Sequence, residues 1–446
     1  MIAEQVFHQL LNLGECWEVL GVDYEDAASR FVLVLAETQK LWPTQVCPHA
    51  QCRHQTITCY DHADTRSWRH LDVFGKKSEI LCAVPRGKCA ACGHVYRVPV
   101  PWEGEGKHFT REFEAFALTL MREMPVSKAG AIVGETDPRL WRMLFAHVAK
   151  AYAALDMSEV CWIGVDEMNC RKGHDYLTVF ADLVKRRVLF ATEGKDAGTF
   201  RAFVEALAAH HGHPKAITQA AIDMSPAYQK GVREELPNAA VVFDKFHVVA
   251  QVNGAVDAVR RIEARAGDAV AQSQLKKSQW LWRKNPEHLS EKEQARLEEM
   301  DLKHLATGQA YQMRLVLQEA YASRRVETAR YRFESWVNWV RVKCDRLGEV
   351  LEPMRKVAAM VERHLEGILA HWQAGLTTGF LEGLNSVFSA VKRKARGYRS
   401  REYMITMLYF VAGKLSIPTA SFHRKCSRNK LPLSLAVPSP KMNGNE

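Results

Sequence analysis

The chain has 446 residues, 47% hydrophobic and 25% charged, ordinary proportions for a globular protein of roughly two to four domains. Its net charge of +10, with a pI near 9.0, favours a polyanionic partner. No apolar run is long enough to span a bilayer, and "MIAEQVFHQLLNLGECWEV" lacks the basic stretch and cleavage site of a signal peptide, so a cytoplasmic protein with no membrane partner is expected.

Residues 1–45 read as an N-terminal helical segment of no assignable role. Over 46–105, "VCPHAQCRH" and "KCAACGH" supply Cys47, Cys52, Cys89 and Cys92, separated by short, turn-rich, strand-like sequence. Soft thiolates converging from two tight turns predict a structural zinc site. The first pair is wider than the usual two-residue gap, which leaves His49 as an alternative ligand and Cys59 and Cys82 as neighbours. Eleven cysteines in a cytosolic chain otherwise argue against a disulfide framework.

Residues 106–157 predict three helices. Phe113, Phe116, Ala117, Leu120 and Met121 form an apolar stripe, and "MPVSKAGAIVGETDP" breaks it twice, with Ser127 and Asp137 as expected N-caps. A third helix follows from about Pro138. This is the rhythm of a helix-turn-helix module, and equally of a plain three-helix bundle.

From residue 158 the period changes. "CWIGVDEMN", ending in Asp166, then "DYLTVFADLV" and "RRVLFATEG" read as three strands with a turn at "RKGH". "GTFRAFVEALAAHHG" reads as a helix, "AITQAAIDMS" as a strand ending in Asp223, "PAYQKGVREELP" as a helix, and "AVVFDKFHVV" as a last strand. A three-strand meander followed by helix, strand, helix, strand is the order of a ribonuclease H-like sheet, in which the first and fourth strands are neighbours. Acids ending those two strands would meet at one edge of the sheet. Two carboxylates that close repel unless a cation neutralises them, and hard oxygen donors suit Mg²⁺.

Residues 266–371 read as an all-helical insertion, and 372–415 return to the catalytic domain begun at 158–265. There "TTGFLEGLNSVFSAVKRKARGYRS" is an amphipathic helix running into a basic tail, with Glu382 off its apolar stripe. If that face packs on the sheet, Glu382 becomes the third ligand. Residues 416–446, including "LPLSLAVPSPKMNGNE", read as a poorly ordered tail.

These blocks resemble the DDE transposases of bacterial insertion sequences, and within them the ISL-three family, from about residue 45 to 415. The residues that carry the resemblance are "CPHAQC…CAACG", "GVDEMNCRKGHDYLTVFADL", "IDMSPAYQKGVREELPNAAVVFDKFHVV" and "GFLEGLNSVFSAVKRKARGYRS". The resemblance implies Asp166, Asp223 and Glu382 as the catalytic triad holding two Mg²⁺ (or Mn²⁺) ions, and Asp244 and His247 of "DKFHV" as residues flanking the site. It departs from the family's Cys-Pro-x-Cys knuckle, since Ala50 stands at the second Cys position and Cys52 is the expected substitute. Double-stranded DNA, as element ends and target, is the implied partner. Lys392, Arg393, Lys394, Arg396, Tyr398 and Arg399 are assigned to it, with Trp280, Trp282, Trp336 and Trp339 as base-stacking or packing residues. Two ends must be paired, which implies a homodimer on DNA in a bacterial, nucleoid-associated protein.

The expected architecture is therefore a multi-domain α/β protein: a ribonuclease H-like mixed sheet with a large all-helical insertion, preceded by a zinc-binding and a helix-turn-helix module.

Overall fold

A computed structural model of the chain describes residues 3–169, 176–266, 269–300, 304–374, 379–395 and 397–420. The expected turn at 171–174 and most of the expected tail lie outside these residues, although Ile417 is buried and the Ala420 N–H donates to Thr119 Oγ1.

The first 45 residues are not a helical segment. One helix, α1 (Ala3–Leu10), precedes two strands, β1 (Trp17–Glu25) and β2 (Arg30–Glu37), paired antiparallel. The reason is a period of two that the helical reading passed over: Trp17 and Val19 are buried while Glu18 and Leu20 face solvent, and "FVLVLAE" is rich in β-formers. These strands join β3 (Ile57–Val73), β4 (Lys76–Cys89) and β5 (Val95–Arg97) in one sheet, ordered β1-β2-β4-β3 with β5 also on β4. Segments 1–45 and 46–105 therefore share one core, built around Trp17, Leu33, Trp68, Ile80 and Trp102.

Three helices follow: α2 (Arg111–Glu123), α3 (Val126–Val133) and α4 (Asp137–Ala153). Thr110 caps α2 by accepting from the Phe113 N–H at 3.3 Å. The other two helices start one or two residues earlier than expected. Pro125 and Thr136, both with extended ψ, are the N-caps, so Ser127 and Asp137 lie inside first turns. Gly134 ends α3 in the left-handed region at φ 68°, a conformation only glycine adopts without strain.

A buried carboxylate holds this bundle to the preceding loop. Glu114 accepts hydrogen bonds from the backbone N–H groups of Glu105 (2.9 Å) and Gly106 (2.7 Å) and from His147 Nε2 (2.7 Å). Replacing Glu114 by Ala strands the buried His147 and two part-buried backbone donors, and the expected loss is about 3 kcal/mol of folding free energy. Denaturant unfolding of the two proteins checks it, and a change below about 1 kcal/mol would contradict the role given to this residue.

The second sheet comprises β6 (Trp162–Asn169), β7 (Tyr176–Asp182), β8 (Arg187–Glu193), β9 (Gln219–Ile222) and β10 (Ala240–Phe243), in the order β10-β9-β6-β7-β8. The meander β6-β7-β8 is antiparallel, and β9 and β10 add parallel on the other side of β6. Helices α5 (Gly198–Ala209) and α6 (Pro226–Glu235) connect the later strands. The Phe203 ring stacks on Phe180 of β7 with centroids 4.4 Å apart. Gly231 lets α6 close on α5, since a Cβ there would meet the Phe200 ring at 2.4 Å.

The last strand is shorter than expected. β10 stops at Phe243, and "DKFHVV" opens α7 (Lys245–Ala266). Asp244 forms the break by accepting from the Phe246 N–H at 3.2 Å. Beyond it Val248, Val252, Val256 and Val259 recur at helical spacing and are buried. Helices α8 (Ala269–Leu275), α9 (Glu291–Glu298), α10 (Ala306–Tyr321), α11 (Val326–Leu347), α12 (Glu352–Arg363) and α13 (Leu365–Ala374) form the expected helical segment. Its end seats on the sheet edge: a Cβ at Gly367 of α13 would meet the Phe243 ring at 2.5 Å. Two further helices, α14 (Gly379–Ala395) and α15 (Arg401–Ala412), are the last among the described residues. α14 lies against β6, while α15 lies between α4 and β8, where Tyr409 OH accepts from the Ala191 N–H at 3.1 Å. Among the described residues no helix is long and apolar enough to cross a membrane.

Candidate active site and cysteine cluster

The parallel strands bring three acids into one row. β6 and β9 pair as Trp162↔Gln219, Ile163↔Ala220 and Gly164↔Ala221. β9 and β10 pair up to Ile222↔Phe243. Continuing both offsets places Asp166 opposite Asp223 and Asp223 opposite Asp244, on neighbours spaced by about 4.8 Å. In-register residues of parallel strands face the same side of a sheet.

Asp166 is not the last residue of its strand, as expected from sequence. β6 continues to Asn169 because β7 still pairs with it there (Asp166↔Val179, Asn169↔Tyr176). The parallel neighbour stops at Ile222, so Asp166 still sits where the parallel ladder ends, the usual position for a site in an α/β sheet.

His247 ties the row together. Its Nδ1 lies 3.2 Å from Asp244 Oδ2, and its Nε2 lies 3.9 Å from Asp166 Oδ1. The hydrogen bond to Asp244, then the charges of Asp166, Asp244 and Asp223, raise the His247 pKa against the opposing effect of burial. Asp244 is buried at 5% exposure and Asp166 is nearly so, its side chain 12% exposed. The Glu167 and Ser225 N–H groups donate to Asp166 Oδ1 (2.7 Å) and Asp223 Oδ1 (2.8 Å), fixing both carboxylates. Such a set of oxygen donors suits a hard divalent cation.

Glu167 was not singled out from sequence; burial first, then the charges of Asp223 and Asp166, raise its pKa. Its only sequence signal was its place next to Asp166 in "VDEMN".

Glu382 lies on the backbone of α14, the helix against β6, but its side chain is outside the described residues. So is that of Lys394, and Arg396 lies outside altogether. Lys392 Nζ donates to Asn169 O at 2.5 Å, which pins the basic end of α14 to the end of β6. Arg393 and Arg399 are exposed. Tyr398 is half-buried with its ring edge-on to Trp141, and burial pushes its pKa up to about 12. Trp282 and Trp336 are buried and donate to Ser278 Oγ and Met313 O, and Trp339 is half-buried. Trp280, 66% exposed with Arg283 over its ring, is the one of the four on the surface.

Beside Asp223 and His247 opens a trough of about 870 Å³ between α6, α7 and α12. It presents Arg233, Lys356 and Arg363, the last two sharing a helix face at a spacing of seven. On the neighbouring α11 and on α12, Arg330, Arg341 and Arg355 are ion-paired with Glu366, Glu362 and Asp345.

In the N-terminal sheet the four predicted thiols come together. The Sγ atoms of Cys47, Cys52, Cys89 and Cys92 all lie within 4.8 Å of one another, with Cys47–Cys92 at 3.6 Å and Cys52–Cys89 at 3.7 Å. Zinc–sulfur bonds of about 2.3 Å in a tetrahedron require sulfurs about 3.8 Å apart, so the cluster could hold zinc. Cys52, not His49, completes the group. The wider first knuckle closes because Arg53 adopts φ 46° and the Cys47 N–H reaches His54 O at 2.9 Å. Burial, with the Cys92 and Cys89 thiols alongside, pushes the Cys47 thiol up to about 12. Backbone N–H groups of Cys92 and Ala91 bring Cys89 down to about 7. A bound cation would remove this contest for protons.

Comparison with known proteins identifies the family. Residues 163–408 match the family described as "Transposase", and residues 98–148 match "Helix-turn-helix domain of transposase family ISL3". The chain is 28% identical over 398 residues to the "Transposase for insertion sequence element IS1001" of Bordetella parapertussis, covering 87% of this chain and 94% of that protein. It is 27% identical over 400 residues to the "Transposase for insertion sequence element IS1557" of Mycobacterium tuberculosis (strain H37Rv), covering 83% and 87%. The first match takes in the acid row and its helices, the second the three helices before it, and together they show that the chain belongs to the ISL3 family of DDE transposases.

Proposed function

We propose that the protein binds the terminal inverted repeats of an insertion sequence and catalyses metal-dependent DNA cleavage and strand transfer, with Asp166, Asp223 and Glu382 as its triad. The observation that carries this reading is the convergence of Asp166 on β6 and Asp223, one residue past β9, on His247, with α14, the helix that carries Glu382, against β6. The strand order, with three antiparallel strands and two parallel additions, supports a ribonuclease H-like catalytic domain. The three acids would hold two Mg²⁺ or Mn²⁺ ions, which when bound would polarise the phosphodiester and activate first water and then the freed 3′-OH.

The chain's own residues supply the rest. Asp244 orients His247, and His247 steadies Asp166 in the geometry a cation needs. Cys47, Cys52, Cys89 and Cys92 hold structural zinc, and the α2–α4 module reads the repeat. A homodimer would pair the two ends. The most direct functional test is cleavage of an inverted-repeat substrate by the Asp166→Asn protein.

The trough beside Asp223 suits the DNA backbone leaving this site, with Arg233, Lys356 and Arg363 on phosphates. Replacing all three by Gln is expected to weaken binding uniformly across sequences and to flatten the plot of log K against log salt by about 2 to 3. Fluorescence anisotropy at several salt concentrations measures it, and an unchanged slope would remove the trough from the DNA path.

A further inference from the structure

A second group of metal donors lies in the N-terminal sheet and shares no residue with the four cysteines. The Glu37 carboxylate, the Cys59 thiol and the His62 imidazole bring one donor atom each within 4.8 Å of the others. His62 Nε2 is 2.8 Å from Glu37 Oε1, and the Glu37 side chain is only 11% exposed.

The local backbone explains how the thiol comes to be there. Cys59 and His62 are three apart on β3, and in a regular strand they would face opposite sides of the sheet. The ladder slips between them: Cys59 pairs with Gly87 and Asp61 with Arg86, so two steps on β3 match one on β4. Tyr60 is the extra residue of a bulge, and beyond it His62 pairs with Pro85. Cys59 and His62 are then two ladder steps apart and share a face. Bulges of this kind re-aim side chains at functional positions. A Glu–His pair alone would account for two of the three groups and leaves the bulge, and the thiol it brings to the pair, unexplained.

The geometry points to a second zinc site formed by Glu37, Cys59 and His62, with three protein ligands and a fourth position open to water. One sulfur, one nitrogen and one oxygen donor form a borderline set that suits Zn²⁺ better than Mg²⁺ or Ca²⁺. Glu37 ends β2, whereas Cys59 and His62 lie on β3, and β4 separates the two strands. A cation there braces β2 to β3 across β4, next to the hairpin end that carries Cys89. Asp61, the other nearby acid, is engaged by Arg86 at 2.5 Å and takes no part. Burial, and then the repulsion of Glu37 and Asp61, raises the Cys59 pKa, and bound zinc would stabilise the thiolate.

The test is zinc content per chain after equilibration with Zn²⁺ and desalting, measured by atomic emission. The wild-type protein is expected to carry one equivalent more than either Cys59→Ala or His62→Ala. Cys59 is exposed, so its removal should leave the fold intact, and retention of the zinc of the four-cysteine cluster checks this in the same sample. Titration with Co²⁺ should add a thiolate-to-cobalt absorption in the wild type that Cys59→Ala lacks. Equal metal content in wild type and both variants, or no cobalt signal lost with Cys59, would overturn the proposal. The reading is a difference of one equivalent, so it stands apart from the outcome at Cys47, Cys52, Cys89 and Cys92.

Discussion

Asp166→Asn and Asp223→Asn are each expected to lower cleavage of an inverted-repeat substrate by about 10³-fold or more while leaving repeat binding unimpaired. Each change keeps the side chain's shape and removes the charge that a divalent ion needs. A metal contributes several kcal/mol of transition-state stabilisation, and about 1.4 kcal/mol is a factor of ten in rate. The two acids act on one set of ions, so the double variant should be scarcely worse than either single one. Glu382→Gln should fall in the same class. Binding should survive because Asp166 lies mid-strand, held between β7 and the end of β9, and neither replacement alters a packed apolar surface. Gel-based cleavage and mobility-shift assays on the same preparations separate the two effects. Near-normal cleavage by any of the three would remove that residue from the triad.

Loss of the four-cysteine cluster should have the largest effect on stability. Cys89→Ser, or chelation strong enough to strip the site, is expected to destabilise the N-terminal sheet by on the order of 5 kcal/mol. That is below the roughly 10–16 kcal/mol of isolated zinc-finger peptides, because the core around Trp68 and Trp102 already orders much of the hairpin. The damage should reach the three-helix module. Arg69 of β3 donates to Val133 O at the end of α3, and His70 Nδ1 lies 2.8 Å from Thr110 Oγ1, the cap of α2. Thermal unfolding and limited proteolysis across residues 46–95 would register the change. A Cys89→Ser protein that melts with the wild type and resists protease equally would contradict a structural role for the cluster.

The central sheet was legible because its elements alternate cleanly. Short β-rich runs separated by one meander and two helices admit few arrangements, and the pairing of β6 with β9 follows from that order. Boundaries were less legible where two periodicities fit the same residues. "AVVFDKFHVV" is apolar enough for a strand throughout, and only the wider window reaching Val252, Val256 and Val259 shows the helix that begins at Lys245. The N-terminal strands carried their signal in "WEVLGVDYE" and "FVLVLAE", which the helical reading of residues 1–45 passed over.

At the site, residue type and strand order singled out Asp166 and Asp223 as candidates. They gave no sign of the raised pKa of Glu167, which comes from burial and the charges of those two, or of the trough cations, which come from α6 and α12. Tyr398 and three of the four Trp residues, for which sequence left stacking and packing open, take the packing role. Aromatic residues among basic ones satisfy a nucleic-acid pattern, yet burial against Trp141 or inside the helical insertion decides what they do.

The account stands most directly on where Glu382 reaches. A structure of the protein bound to an inverted-repeat end in Ca²⁺, which would occupy the site without supporting cleavage, measures this. The expected result is divalent ions coordinated jointly by Asp166, Asp223 and Glu382 beside the scissile phosphate. Ions held by the two aspartates with the Glu382 carboxylate beyond coordinating distance, in a fully assembled complex, would contradict it.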